Sequence, residues 1–333
     1  MKFYENKLIL SFLNLASIVF KTLSFINLKI KSWRQKKYDE VVIVSLDNLS
    51  FGGTGKTSLT SEVSRSLQEK GIKFAVVSRG YRSKYEKSGV SVRLDHKVEE
   101  VGDEAKLLKT RFPDRDILIG RNRHDSIKKA AAKGNRAIIL DDGFQSTDIH
   151  KDIKIMLFNP LHPYYYLRNF KFLMKDEDYV LSYDPEGAEK SDRGVVWAPG
   201  RAVSGSYYFE RDNFYDAGRK VVNIGDSVLF GFSALGDNRR FRDDLLGFQL
   251  AGFLSFRDHH FFTEEDIKLL EEKRKAFKAD YLACTEKDYV KLTNYNLASI
   301  PLIFAKNVIK YNIDLTGIIL NYAAKKKADK LKA

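Results

Sequence analysis

Six consecutive residues, Gly52-Gly53-Thr54-Gly55-Lys56-Thr57, carry the clearest chemical signature in this chain. They stand between a β-rich run and a helical one. A glycine-rich turn in that place aims backbone N–H groups and the positive helix end at phosphates. Lys56 would reach the β- and γ-phosphates of ATP, and the Thr57 hydroxyl would coordinate Mg²⁺. The strict spacing G-x-x-x-x-G-K-[ST] fails at its first position, where Ser50 stands. The surrounding pattern still reads as a P-loop; the alternative is a glycine-rich turn with a coincidental Lys-Thr.

Two further groups of residues have the chemistry to complete such a site. Asp141-Asp142 follows the apolar run Ala137–Leu140, where a Walker-B carboxylate holds Mg²⁺ directly or through water. An Asp-Gly turn is the plain alternative. Asp103-Glu104 opens a predicted helix, and Asp103 alone is as well explained as an N-cap. Phe256-Arg257-Asp258-His259-His260 precedes Thr263-Glu264-Glu265-Asp266, a capping-box pattern, so both histidines fall on a strand-to-helix loop. Either could be structural. A kinase acting on an alcohol needs a base near the hydroxyl, and an Asp oriented by a His would serve.

The elements that must position these groups are legible as alternating strands and helices. Strands are predicted over residues 40–46, 74–78, 116–119, 137–140 and 153–158. Helices are predicted over 56–70, 103–111 and 122–133. This order argues for an α/β fold, a doubly wound, largely parallel sheet. Residues 185–226 lose the helical period and read as a β-rich linker, before a second, smaller α/β domain over 227–322. The nucleotide-binding domain is expected over 34–184, and 323–333 as a solvated basic tail.

Residues 8–28 carry one charge, Lys21, and Leu8, Phe12, Leu15, Val19, Leu23 and Ile26 share one helical face. Lys29, Lys31, Arg34, Lys36 and Lys37 follow. This pattern predicts an N-terminal membrane-associating helix over 1–33, lying in the interface or spanning it; a helix packed on the protein's own core is the alternative. The 333 residues hold 57 Lys and Arg against 44 Asp and Glu, a net charge of +13. That excess favours a polyanionic partner: nucleic acid, an anionic membrane surface or a phosphorylated substrate. A single cysteine, Cys284, rules out an internal disulfide and a Cys-rich zinc site.

Among P-loop proteins, a GTPase needs an Asn/Thr-Lys-x-Asp motif, and Thr285-Glu286-Lys287-Asp288 has its lysine one place late. No nucleic-acid-binding module is recognisable. A membrane-associated ATPase switch without a small-molecule acceptor remains open on these residues alone. Read together, Asn48–Thr57, Ser78–Arg82, Val101–Glu104, Leu140–Gln145, Gly231–Phe241, Phe256–His260 and Thr285–Leu292 resemble, in order, the tetraacyldisaccharide 4′-kinase family.

The resemblance implies ATP- and Mg²⁺-dependent phosphorylation of the 4′-hydroxyl of tetraacyldisaccharide 1-phosphate, giving lipid IVA. It implies a monomer at the cytoplasmic face of the inner membrane, facing an acylated disaccharide phosphate and no nucleic acid. By motif position Asp103 would be the base and His259 its partner. Thr57, Asp141, Asp142 and Glu104 would serve the metal, and Arg79 would be a phosphate-side cation. Three positions depart from the family pattern: Asp47 stands for Gly, Ser146 for His, and Asn169 for Glu. These departures leave room for a divergent paralogue with another lipid-sugar acceptor.

Overall fold

The computed structural model describes residues 30–49, 55–160, 178–185, 197–198, 201–202 and 204–332. The helix expected before residue 30, Gly52, Gly53 and Thr54 of the glycine-rich turn, and the segment holding Asn169 lie outside these. Among the described residues no helix is long and apolar enough to cross a membrane.

The first half is built from β1 (Val42–Asn48), α1 (Lys56–Glu69), β2 (Phe74–Ser78), β3 (Val90–Ser91), α2 (Val98–Val101), α3 (Asp103–Arg111), β4 (Asp116–Ile119), α4 (Arg123–Ala132), β5 (Ala137–Asp141), β6 (Ile153–Phe158) and β7 (Tyr179–Tyr183). Its central strands β1, β2 and β5 are buried at every position because both faces are covered. Val42, Val44 and Leu46 of β1, with Ala137 and Ile139 of β5, face Leu59, Val63 and Leu67 of α1. Ile43, Ile138 and Leu140 point to the other face, against Ile127 and Ala130 of α4. Successive side chains of a strand alternate between faces, so each short run feeds two cores.

The second half follows as β8 (Trp197–Ala198), β9 (Arg201–Ala202), β10 (Gly205–Tyr215), β11 (Val221–Val222), β12 (Val228–Ser233), α5 (Asn238–Leu245), β13 (Gln249–Ser255), α6 (Glu264–Ala276), β14 (Tyr281–Thr285), α7 (Glu286–Leu292), β15 (Leu302–Tyr311) and α8 (Leu315–Lys332). The same alternation recurs: Phe230, Phe232, Leu282 and Cys284 enter one core, and Leu229 and Ala283 the other. The expected linker does not interrupt the sheet. Strand β10 pairs parallel with β7 and antiparallel with β15, so one path runs β13-β12-β14-β15-β10-β7-β6-β1-β5-β2-β4-β3.

Two strands sit where the winding reverses. β1 lies between β5 and β6, and β12 between β13 and β14, all four pairings parallel. The carboxyl end of such a strand opens a crevice, the usual ligand site of open α/β sheets. The glycine-rich turn follows β1, and the histidine loop follows β13, next to β12.

The basic tail is helical and docked at one lysine. Residues 323–332 continue α8, whose Leu315 and Ile319 enter the first core, while Lys325 and Lys327 are exposed as a solvated end would have them. Lys326 donates to the Tyr38 and Val41 carbonyls at 2.7 and 2.6 Å and pairs with Asp152 at 2.7 Å. A buried apolar anchor and a fully engaged ammonium outweigh, at Lys326, the solvation that the lysine-rich composition suggested. The α1 packing makes a direct stability prediction. Leu59 is fully buried, so Leu59→Ala should cost ~2–5 kcal/mol in urea unfolding. Val221→Ala, at an exposed position, should stay within about 0.5 kcal/mol.

Candidate active site

The nucleotide side is assembled by the β1–β5 pairing. Leu46 stands opposite Asp141, and the Asp142 N–H donates to the Leu46 carbonyl at 3.1 Å, bringing the start of the glycine turn beside the acidic pair. Asp142 itself has φ 60°, a left-handed conformation that Asp tolerates better than most residues. Lys56, the first residue of α1 and buried, reaches Asp142 at 3.0 Å and Asp141 at 4.0 Å. Gly55 precedes it at φ 89°, and a Cβ there would lie 2.2 Å from the Phe209 ring of β10. Both backbone angle and space therefore demand glycine at this turn.

Asp47, Arg123 and Lys151 hold the acidic turn from behind. Asp47 accepts from the Ser45 hydroxyl at 2.5 Å and the Phe144 N–H at 2.9 Å. It fills the family's glycine position with a strut that ties β1 to the turn. Burial, and then the neighbouring Asp142, push its carboxyl above the ordinary range. Arg123 donates to the Asp142 and Asp141 carbonyls at 2.9 and 3.3 Å and to the Ser146 hydroxyl at 2.8 Å. Ser146, the second departure, is thereby part of the same network. Lys151 donates to the Ser146 carbonyl at 2.6 Å and that of Phe144 at 3.4 Å.

The acceptor side is formed by residues that sequence separates by more than 150 positions. Asp103 is the first residue of α3, after the N-cap Gly102 at φ 87°; its Oδ1 accepts the Glu104 N–H at 2.9 Å, which leaves Oδ2 for partners from outside the helix. His259, itself left-handed at φ 57°, places Nδ1 3.0 Å from Asp103 Oδ2. Lys287 of α7 lies 3.4 Å from the same oxygen and 3.5 Å from Glu104 Oε1. Glu104 in turn accepts from the Thr57 hydroxyl at 3.2 Å, joining the two sides. The other histidine has a structural role: His260 bonds Asp266 at 2.8 Å inside the capping box of α6 and stacks on Phe256.

The electrostatics distinguish the members of this cluster. Burial opposes ionisation of Asp103, but Lys287 and His259 overcome it and hold the carboxyl well below its usual range. The hydrogen bond to Asp103 raises His259 against partial burial. The His259 side chain is 54% exposed and that of Asp103 10%, so the imidazole is the member open to an incoming molecule. Lys287 lowers Glu104, and burial raises Asp141 to about 7 despite the nearby Lys56.

Hard oxygen donors for Mg²⁺ are present in Thr57, Asp141, Asp142 and Glu104, and the buried Oδ1 of Asp141 makes no hydrogen bond. Among the described residues no three His, Cys, Asp or Glu converge as a ready cage. Arg79 is engaged elsewhere, donating to Glu86 at 2.7 Å beside Tyr81. Sequence reasoning missed Arg123 and Lys287. The first sits just past the carboxyl end of β4, a position worth searching in any open α/β sheet. The second stood in a motif weighed for base reading and counted in the family resemblance, but given no role in the site.

Lys151 yields a pH test of the supporting network. Its burial lowers the ammonium from the ordinary range to about 8. Between about 8 and the unfolded value of roughly 10.4 the unfolded chain binds the extra proton, so stability rises with pH. Urea unfolding from pH 7.5 to 10 should show this rise in the native protein relative to Lys151→Met. Parallel curves would remove Lys151 from this role.

Comparisons with known proteins agree with this architecture. The tetraacyldisaccharide-1-P 4′-kinase family model matches residues 9–320. A tetraacyldisaccharide 4′-kinase of Desulfotalea psychrophila is 29% identical over 316 residues, covering 85% of this chain and 87% of that protein. One from Geobacter metallireducens is 33% identical over 274 residues, covering 75% and 78%. The crystal structure of the apo form of LpxK from Aquifex aeolicus in complex with ATP superposes with a TM-score of 0.67 at 23% identity, covering 92% of this chain and 99% of that one. With a family match across nearly its whole length, this chain belongs to the tetraacyldisaccharide-1-P 4′-kinase family.

Proposed function

We propose that this protein transfers the γ-phosphoryl group of ATP to the 4′-hydroxyl of tetraacyldisaccharide 1-phosphate, giving lipid IVA, at the cytoplasmic face of the inner membrane. Family membership supports the reaction. The observation that carries the site assignment is the meeting of His259 and Asp103 one residue from Glu104, which bonds the P-loop Thr57.

Lys56 and the backbone of the glycine turn would bind the β- and γ-phosphates, with the Thr57 hydroxyl and one or two of the Asp141, Asp142 and Glu104 carboxylates available to Mg²⁺. Bound there, the ion neutralises charge on the transferring phosphoryl. As the 4′-oxygen forms its bond to the γ-phosphorus, the bond to the β–γ bridging oxygen breaks and ADP leaves with that electron pair. The hydroxyl proton must then go to a group that is both open and basic. Asp103 is buried and held ionised by Lys287, whereas His259 is open and raised. The roles expected from motif position are therefore better exchanged: His259 Nε2 accepts the proton, and Asp103 orients the ring and stabilises its charged form.

Purified protein with Mg-ATP and detergent-dispersed tetraacyldisaccharide 1-phosphate should form the bisphosphorylated lipid; absence of transfer where a family enzyme succeeds would refute the reading. Asp103→Ala should lower kcat by roughly 10²–10⁴-fold with ATP affinity retained, as expected for disabling one acid–base pair. In the native enzyme kcat/KM should rise through a pKa above the ordinary 6.5 of histidine, and Asp103→Asn should move that limb to lower pH. Loss of turnover together with the limb in Asp103→Asn would return the base to Asp103, and an unmoved limb would show that it does not report the His259–Asp103 pair.

A further inference from the structure

The Thr285-Glu286-Lys287-Asp288 segment makes a cluster of polar contacts between the two halves. Helix α7 lies against α3, the helix that begins with Asp103. Glu286 is buried and receives Arg111, from the far end of α3, with Nε at 3.0 Å. Its other oxygen receives Arg219, from the turn between β10 and β11, also at 3.0 Å. One carboxylate thus gathers α3, the β10–β11 turn and α7. Asp288 faces the other way, capping its own helix through Thr285 and pairing with the buried Lys291 at 3.0 Å. These anchors leave Lys287 directed at the start of α3.

We propose that Lys287 is a positioning residue of the transfer site: it divides the adjacent carboxylates of α3, keeping Asp103 against His259 on the acceptor side and Glu104 against Thr57 on the nucleotide side. Three distances carry this. The Lys287 ammonium is 3.4 Å from Asp103 Oδ2, the oxygen that His259 Nδ1 also engages at 3.0 Å, and 3.5 Å from Glu104 Oε1, the oxygen that Thr57 engages at 3.2 Å. Each carboxylate oxygen is shared between Lys287 and one working residue. Neighbouring carboxylates on one helical turn repel, and without a cation between them they would rotate apart. Lys287 also shares Asp103 with His259, so it limits how strongly that carboxylate holds the ring.

The proposal rests on the kinase reading for its kinetic consequence but not for its physical one. Groups facing the His259 ring are Asp103, Lys287 and Asp258, the last at 3.9 Å from Nε2. Removing the ammonium strengthens the hold of Asp103 on the ring and removes a like charge. The His259 titration midpoint, followed by NMR in the full-length, nucleotide-free protein, should therefore rise in Lys287→Met and stay near the native value in Lys287→Arg. With Mg-ATP and the acylated disaccharide, Lys287→Met should lower kcat by about 100-fold, the scale of a 1 Å misplacement, with KM for ATP nearly unchanged. Lys287→Arg should recover most of the loss.

An unchanged His259 midpoint in Lys287→Met, or an undiminished kcat, would overturn the proposal. Failure of the native protein to phosphorylate the disaccharide would refute the kinase reading instead, and the NMR comparison would still decide the role of Lys287. Should the Met variant not fold, Lys287→Gln replaces it in both measurements.

Discussion

A buried carboxylate can stay ionised only where other charges repay its lost hydration, and Asp103 is such a group. Its compensation comes from Lys287 and His259, both supplied by the second half of the chain. Docking of the two halves and ionisation of the site are therefore one event. If α7 and the histidine loop were drawn away, Asp103 would face Glu104 with no cation between them. The ionic seam also raises the basicity of His259, so the same contacts that join the halves favour the proton-accepting role proposed for it.

The backbone makes this possible by stacking two open α/β windings on one sheet. Strand β10 serves both, pairing with β7 on one side and β15 on the other, and Phe209 from that strand seats on Gly55 at the end of the glycine turn. Arg240 lies over the same ring, 3.8 Å from its centroid. The nucleotide turn therefore touches the connection between the halves directly. Behind it, Asp47, Arg123 and Lys151 replace loop freedom with hydrogen bonds to backbone carbonyls and N–H groups. A left-handed Asp142 needs this support, since the conformation is disfavoured on its own.

What could be read from the residues follows the range of the forces involved. Helix α3 and strands β2, β4 and β6 coincide with their expected bounds, and β1, α1, α4 and β5 differ by a few residues at most, because apolar alternation and helix-start signals are local. The placement of Asp141-Asp142 at a strand end was equally accessible, whereas the choice of His259 over His260 came from motif position in the family resemblance. Ion pairing leaves no periodic trace, so the 156-residue separation of Asp103 and His259, the reach of Lys287 and the three-way contact at Glu286 were not. Lys326 misled for the same reason: it is satisfied by the carbonyls of Tyr38 and Val41, almost 290 positions away. Asp47 and Ser146, which look like losses beside the family pattern, hold the acidic turn through Phe144 and Arg123.

The central claim is that Asp103 and His259 act as one unit across the seam. A double-mutant cycle on phosphoryl transfer with Asp103→Ala, His259→Ala and the pair tests it most directly, with unfolding curves confirming that each variant is folded. Residues that work as a unit are strongly non-additive, so the double variant should be no slower than the slower single variant within about threefold. Multiplication of the two single effects would contradict the account, because it would mean that each residue acts without the other.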